Sequence, residues 1–130
     1  REGGLVKGIT GLTDREVLER ATDIIRDPNH WTQGMWALGD AYCILGAIQV
    51  AQGYEKPSML STDAQAIRLS ERIVQTIREQ YPNWEPLLTT PMDELVDAGY
   101  ANVIVESFND GHEHEEVVAV MEKTLVREDW

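Results

Sequence analysis

The sequence predicts a mainly α-helical fold, a compact single-domain bundle of about five helices. Three observations carry this expectation. Apolar residues recur at helical spacing behind recognisable caps in the stretches 14–27, 63–80 and 113–127. The stretch 40–52 is apolar almost all round, as a helix in the middle of a core should be. The connections between these stretches are polar and marked by Pro and Gly. A chain of 130 residues with 42% apolar content can also bury one proper core without metals or disulfides. One domain, 1–130, is therefore expected. Residues 1–12, opening with REGGLVKG and lacking an initial Met, are read as a flexible segment outside the fold.

Taken in order, TDREVLERATDIIRD opens with a capping box, Thr13 with Glu16, and sets Val17, Leu18, Ala21, Ile24 and Ile25 on one face. Pro28 ends it, because the residue before proline avoids helical geometry. WTQGMWALGD has no clear period and reads as a packed, irregular loop. AYCILGAIQVAQG follows as the buried helix and closes naturally at Gly53. Gly46 within it weakens a helix by about 1 kcal/mol relative to alanine, which points to close approach of another backbone. The next helix takes Ser61, Thr62 or Asp63 as its cap, turns Ile67, Ser70, Ile73, Val74 and Ile77 inward and leaves a charged outer face.

Pro82, Pro86 and Pro91 break the pattern after that helix. MDELVDAG is a short helix closed by Gly99. YANVIVESF is ambiguous: Val103, Ile104 and Val105 favour a strand, but a lone strand has no visible partner, so a helix is expected and a hairpin is the alternative. The last helix turns Val117, Val118, Val120, Met121 and Leu125 toward the core, with acids in its first turn and Lys123 and Arg127 in its last. Asn109 or Asp110 is the expected cap.

Charge narrows the functional classes. The net charge is -12, and residues 91–130 hold eleven acids against two bases, so they carry -9 of it. Such a field repels phosphate backbones, which disfavours direct nucleic-acid binding, and favours a basic protein surface or a cation. The longest apolar stretch, around Tyr42 to Ala51, is short of the roughly 20 residues that cross a bilayer, so no membrane partner is expected. A single cysteine, Cys43, cannot form an internal disulfide, and a reducing cytoplasm is the expected location. The sequence leaves the oligomeric state open.

Few residues have chemistry to offer. FNDGHEHEEVV, 108–118, concentrates Asn109, Asp110, His112, His114 and Glu116. Spacings of i, i+4 pair His112 with Glu116 and Asp110 with His114, a carboxylate–imidazole arrangement that suits a divalent metal. The competing reading is helix entry, with Glu113, Glu115 and Glu116 complementing the helix dipole. No other cofactor is implied. Trp31, Trp36 and Tyr42, with Asn109 supplying orientation, would wall a pocket for a small molecule; Trp84 and Tyr100 are further rings for such a cleft, and completion of the core is the alternative use. Cys43 lies in the most apolar segment, where a thiol is inert, so pairing with His30 or His112 as a nucleophile is not expected. No phosphate loop, paired-cysteine zinc pattern or Ser/His/Asp signature is present.

WTQG at 31–34, AYCILGAI at 41–48, and FND at 108–110 followed by EHEEVVAVMEK together resemble a family of small proteins from actinobacteria and their phages. That family carries Trp-x-x-Gly, Cys-x-x-Gly-Ala, Trp-Asn-Asp and a Glu-Val helix. The resemblance runs from about Glu16 to Lys123. Phe108 stands where the family has tryptophan, and the loop after Asp110 is shorter than its usual linker. The resemblance implies a compact helical domain and supplies no catalytic residues. The favoured reading is a non-enzymatic interaction or accessory protein docking on a basic partner. The alternatives are a metal-binding protein or hydrolase using Asp110, His112, His114 and Glu116, and a small-molecule binder.

Overall fold

The structure, a computed structural model, describes residues 11–130. The expected flexible segment 1–12 thus lies outside the described residues, apart from Gly11 and Leu12. The described chain folds into six α-helices: α1 (Asp14–Arg26), α2 (Ile44–Gln52), α3 (Ala64–Gln80), α4 (Met92–Asp97), α5 (Ala101–Gly111) and α6 (His114–Leu125). A hairpin of β1 (Ala37–Leu38) and β2 (Ala41–Tyr42) precedes α2. Single 3-10 turns stand at Pro28–His30 and Met59–Ser61.

Caps set the helix boundaries much as expected. The hydroxyl of Thr13 accepts from the Glu16 N–H at 3.1 Å, and Glu16 Oε1 accepts from the Thr13 N–H at 3.0 Å. Asp63 caps α3 by accepting from the Ala66 N–H at 2.9 Å. Gly53 ends α2 at φ 100°, a left-handed conformation that an L side chain resists.

Three features differ from the sequence expectation. The buried helix starts at Ile44 and not at 40, because Ala41 and Tyr42 pair with Leu38 and Ala37 across a two-residue turn, Gly39–Asp40. Gly39 adopts φ 63° there, the positive angle that the first position of such a turn asks for. The 31–40 stretch is therefore ordered by the hairpin, and Trp31 bridges to Tyr42 as well. Residues 103–105 are helical within α5, as expected, and do not form the alternative hairpin. Asn109 and Asp110 belong to the last turn of α5 and do not cap α6; Glu113 does, in a capping box with Glu116.

The core is one cluster contributed by every helix except the short α4. α1 packs on α2 and α6, while α3 packs on α5 and α6. In α3 the buried face is Ala66, Leu69, Ile73, Val74 and Ile77; Ile67 is only half-buried and Leu69 takes the place expected for it. Phe108 is fully buried, with Tyr81 and Trp84 edge-on at 5.3 and 5.5 Å between ring centroids. Several polar groups that enter the interior are paired: Asp14 binds Arg68 at 2.9 Å and Gln65 at 3.0 Å, and the Thr124 hydroxyl donates to Thr76 at 2.8 Å. Trp130 packs back onto the bundle, its indole N–H donating to the Thr124 carbonyl at 3.0 Å and Arg72 stacked 4.3 Å over its ring. Among the described residues no helix is long and apolar enough to cross a membrane.

The close approach anticipated at Gly46 is present. A Cβ built there would overlap the carbonyl oxygen of Trp36 and meet Cβ of Tyr42 at 3.4 Å. Helix propensity alone favours alanine at this position by about 1 kcal/mol. The overlap with a fixed backbone outweighs it, and Gly46→Ala is expected to destabilise the fold by about 2–3 kcal/mol. Urea unfolding at constant m-value measures this; an unchanged or raised midpoint would show that the hairpin yields freely.

Candidate functional site

Two features gather the functional candidates, a buried junction at the end of α5 and a groove beside it. The junction is built on Asn109, whose side chain is fully buried. Its Oδ1 accepts from the Trp31 indole N–H at 2.8 Å and from the Ile44 N–H, the first of α2, at 3.2 Å. Its Nδ2 donates to the Thr32 carbonyl at 3.0 Å and to Asp110 Oδ1 at 3.1 Å. Gln33 Nε2 meanwhile caps the carboxyl end of α5, reaching the carbonyls of Asn109, Asp110 and His112 at 3.2, 3.3 and 2.7 Å. The Gly34 N–H donates to Asp110 Oδ1 at 2.8 Å. The stretch 31–34 is thereby fastened along 109–112.

These bonds decide how the expected ligand pocket reads. Trp31, Tyr42 and Asn109 do come together, but the Asn109 amide spends both its oxygen and its nitrogen on the protein itself. Trp36 lies further along, its indole N–H donating to Glu106. Tyr100 is exposed on the surface.

The four residues considered for a metal are adjacent in sequence and diverge in space. Asp110 accepts from Gly34 and Asn109. His112 directs Nδ1 to the Phe108 carbonyl at 2.9 Å and stacks on the Phe108 ring at 3.8 Å. His114 directs Nε2 to the Ile25 carbonyl at 2.6 Å, at the end of α1. Glu116 closes the α6 capping box at 3.0 Å and meets the Tyr81 hydroxyl at 3.4 Å. A carbonyl only accepts, so each imidazole donates there. Among the described residues no three His, Cys, Asp or Glu side chains are grouped to hold a metal ion. Cys43 is buried, and burial pushes its thiol up to about 11, which keeps it protonated and unreactive.

The groove lies between α5 and the proline-framed loop 82–91, and encloses about 620 Å³. Met59, Trp84, Glu85, Leu87 and Leu88 form one wall; Val103, Glu106, Ser107, Asp110 and Gly111 form the other. Leu87 is 99% exposed and Met59 61%, an unusual outlay of apolar surface. Glu106 and Asp110 are one helical turn apart on α5, and among the described residues no Lys or Arg lines the groove. Burial first, and the charge of Asp110 second, raise the Glu106 pKa above the ordinary carboxylate range, with the Trp36 hydrogen bond pulling the other way. Sequence reasoning reached Trp84 but not this groove. Its signal was present in the Leu87–Leu88 pair inside a proline-rich loop, and in the i, i+4 acids on the face that carries Val103.

Two outcomes are expected. Asn109→Ala leaves the Trp31 indole N–H, the Ile44 N–H and the Thr32 carbonyl without partners, and should cost about 3 kcal/mol or more of stability. It should also shift the tryptophan emission spectrum; an unaltered spectrum and melting point would remove the junction from the fold's essentials. Glu106→Gln removes a carboxylate whose folded-state pKa is raised. A raised carboxylate penalises folding once pH exceeds the unfolded value, so the variant should match or exceed the parent in stability at pH 7. The difference should vanish below about pH 4, where both are neutral. Thermal melts across this range check the sign, and a parent more stable than the variant only at high pH would reverse it.

Comparison with curated proteins and with solved structures finds no match. The sequence profile of a family of unknown function, DUF6197, matches residues 10–127. That span takes in the junction, the groove and all six helices, and the chain belongs to this family.

Proposed function

We propose that this chain is a non-enzymatic interaction protein that docks on a basic partner surface, an accessory protein of the actinobacterial or phage kind that its motifs resemble, acting in the cytoplasm. The observation that carries the reading is the disposition of acids in the last forty residues. Asp93, Glu94, Asp97, Asp110, Glu113, Glu115, Glu122, Glu128 and Asp129 are all exposed, and residues 91–130 hold only Lys123 and Arg127 against them. Arg127 is engaged with Glu79 at 2.7 Å and with Asp129 at 3.2 Å. Arg78, Arg26 and Arg72 pair with Asp93, Glu122 and Asp129 from outside this stretch, yet acids still outnumber bases over it, and a field negative on balance steers a cationic surface toward it and disfavours polyanions.

The candidate nucleophile and imidazoles support a binding role over a catalytic one. Cys43 is buried and protonated, while His112 and His114 spend a ring nitrogen each on a backbone carbonyl.

Capture from a bacterial lysate tests the proposal, with Asp97→Asn/Glu115→Gln/Glu128→Gln as the comparison. These side chains are exposed, so the triple variant keeps the fold. Basic polypeptides should be retained by the parent, released as salt rises from about 50 to about 500 mM, and retained poorly by the variant. Retention indifferent to salt and to the three substitutions would defeat the reading.

A further inference from the structure

We propose that the groove between α5 and the 82–91 loop anchors the partner, and that it takes a polypeptide segment in which an arginine is flanked by leucine-like side chains. The inference rests on the docking function proposed above and names the chemistry of what docks.

The groove is two-natured. One wall is apolar and offered to solvent: Leu87 is 99% exposed, Met59 61% and Leu88 41%. Leu60, which follows Met59 in sequence, is a further exposed apolar side chain at 96%. The α5 side presents Glu106 and Asp110, and Glu85 of the loop also borders the groove. A half-buried carboxylate beside a second one, with no cation among the described lining residues, is an arrangement that a bound cation completes: it relieves both the like charge and the burial.

Guanidinium fits better than ammonium for two reasons. It is planar and less strongly hydrated, so it bridges two carboxylates while shedding little solvation, and it stacks on indole, which Trp84 supplies in the same groove. The acids are also held in place before the partner arrives. The Trp36 indole N–H steadies Glu106, and the bonds from Gly34 and Asn109 both fall on Oδ1 of Asp110. Ordering them on binding therefore forfeits little entropy. A divalent metal is the poorer occupant, since no third ligand joins the pair among the described residues.

The test is a titration of the isotope-labelled full chain with acetyl-LSRLL-amide, its lysine and glutamate counterparts, and N-butylguanidinium, read by amide and indole chemical shifts. The arginine peptide should give saturable shifts centred on the Trp84 indole and the 103–111 amides. The lysine peptide should bind more weakly and the glutamate peptide not at all. Glu106→Gln and Leu87→Ser should each weaken the arginine peptide by about fivefold or more. Leu87 stands almost wholly in solvent, so its substitution reports on the groove and not on folding.

Equal shifts from the arginine and glutamate peptides, or from butylguanidinium and the full peptide, would overturn the inference. Arginine-peptide shifts confined to the acids of α6 would overturn the groove and leave the docking function standing. Absence of any peptide shift, with salt-sensitive lysate capture intact, would do the same. Loss of both peptide binding and salt-sensitive capture would remove the docking function as well.

Discussion

The fold hangs on a buried primary amide. Asn109 sits where α5 ends, and its four hydrogen bonds join the Trp31 ring, the Thr32 carbonyl, the first N–H of α2 and the neighbouring Asp110 carboxylate at one point. An amide suits this position because it both donates and accepts without charge. A carboxylate would lack the N–H for Thr32, and an apolar side chain would strand three buried polar groups. With the amide in place, Gln33 and Gly34 line up to close the carboxyl end of α5, and the hairpin is pressed against α2 closely enough that only glycine fits at position 46.

The same junction shapes the outer surface. It fixes the last turn of α5, and with it the direction in which Asp110, and Glu106 one turn earlier, present their carboxylates. The proline-framed loop then brings Trp84, Leu87 and Leu88 across from them. Acid and apolar surface are thereby set side by side on a rigid helix. The remaining acids of α4 and α6 extend the negative field around that seam without contributing to the core.

Local rules were legible in the sequence and long-range partnerships were not. Thr13 with Glu16, Asp63, Gly53 and Gly99 announce their roles because a cap depends on residues within one turn. The inertness of Cys43 and the crowding at Gly46 were readable from the unbroken apolar character around them. Asn109 and Asp110 misled because their residue type fits a helix start as well as it fits what they do. Only the arrival of Trp31 and Gly34, more than seventy positions away in the chain, decides between the two. The 37–42 hairpin was hidden for a related reason: strands of two residues are too short to establish an alternation. The four metal candidates share eleven residues of sequence, yet the turn at 112–113 between α5 and α6 sends them to different neighbours.

The clamp between 31–34 and 109–112 also bears on how the chain reaches this state. Its hydrogen bonds span 76 to 79 positions, so closing them surrenders the entropy of a loop longer than half the chain. Until that closure, the first N–H of α2 lacks its acceptor, and a helix apolar on nearly every side has α1 but not α5 to cover it. Assembly is therefore paced by topology more than by helix formation. A ribosome-bound chain lacking α5 would hold this helix partly exposed, which makes the interval between emergence of α2 and emergence of Asn109 the time when the nascent protein most needs shelter from self-association.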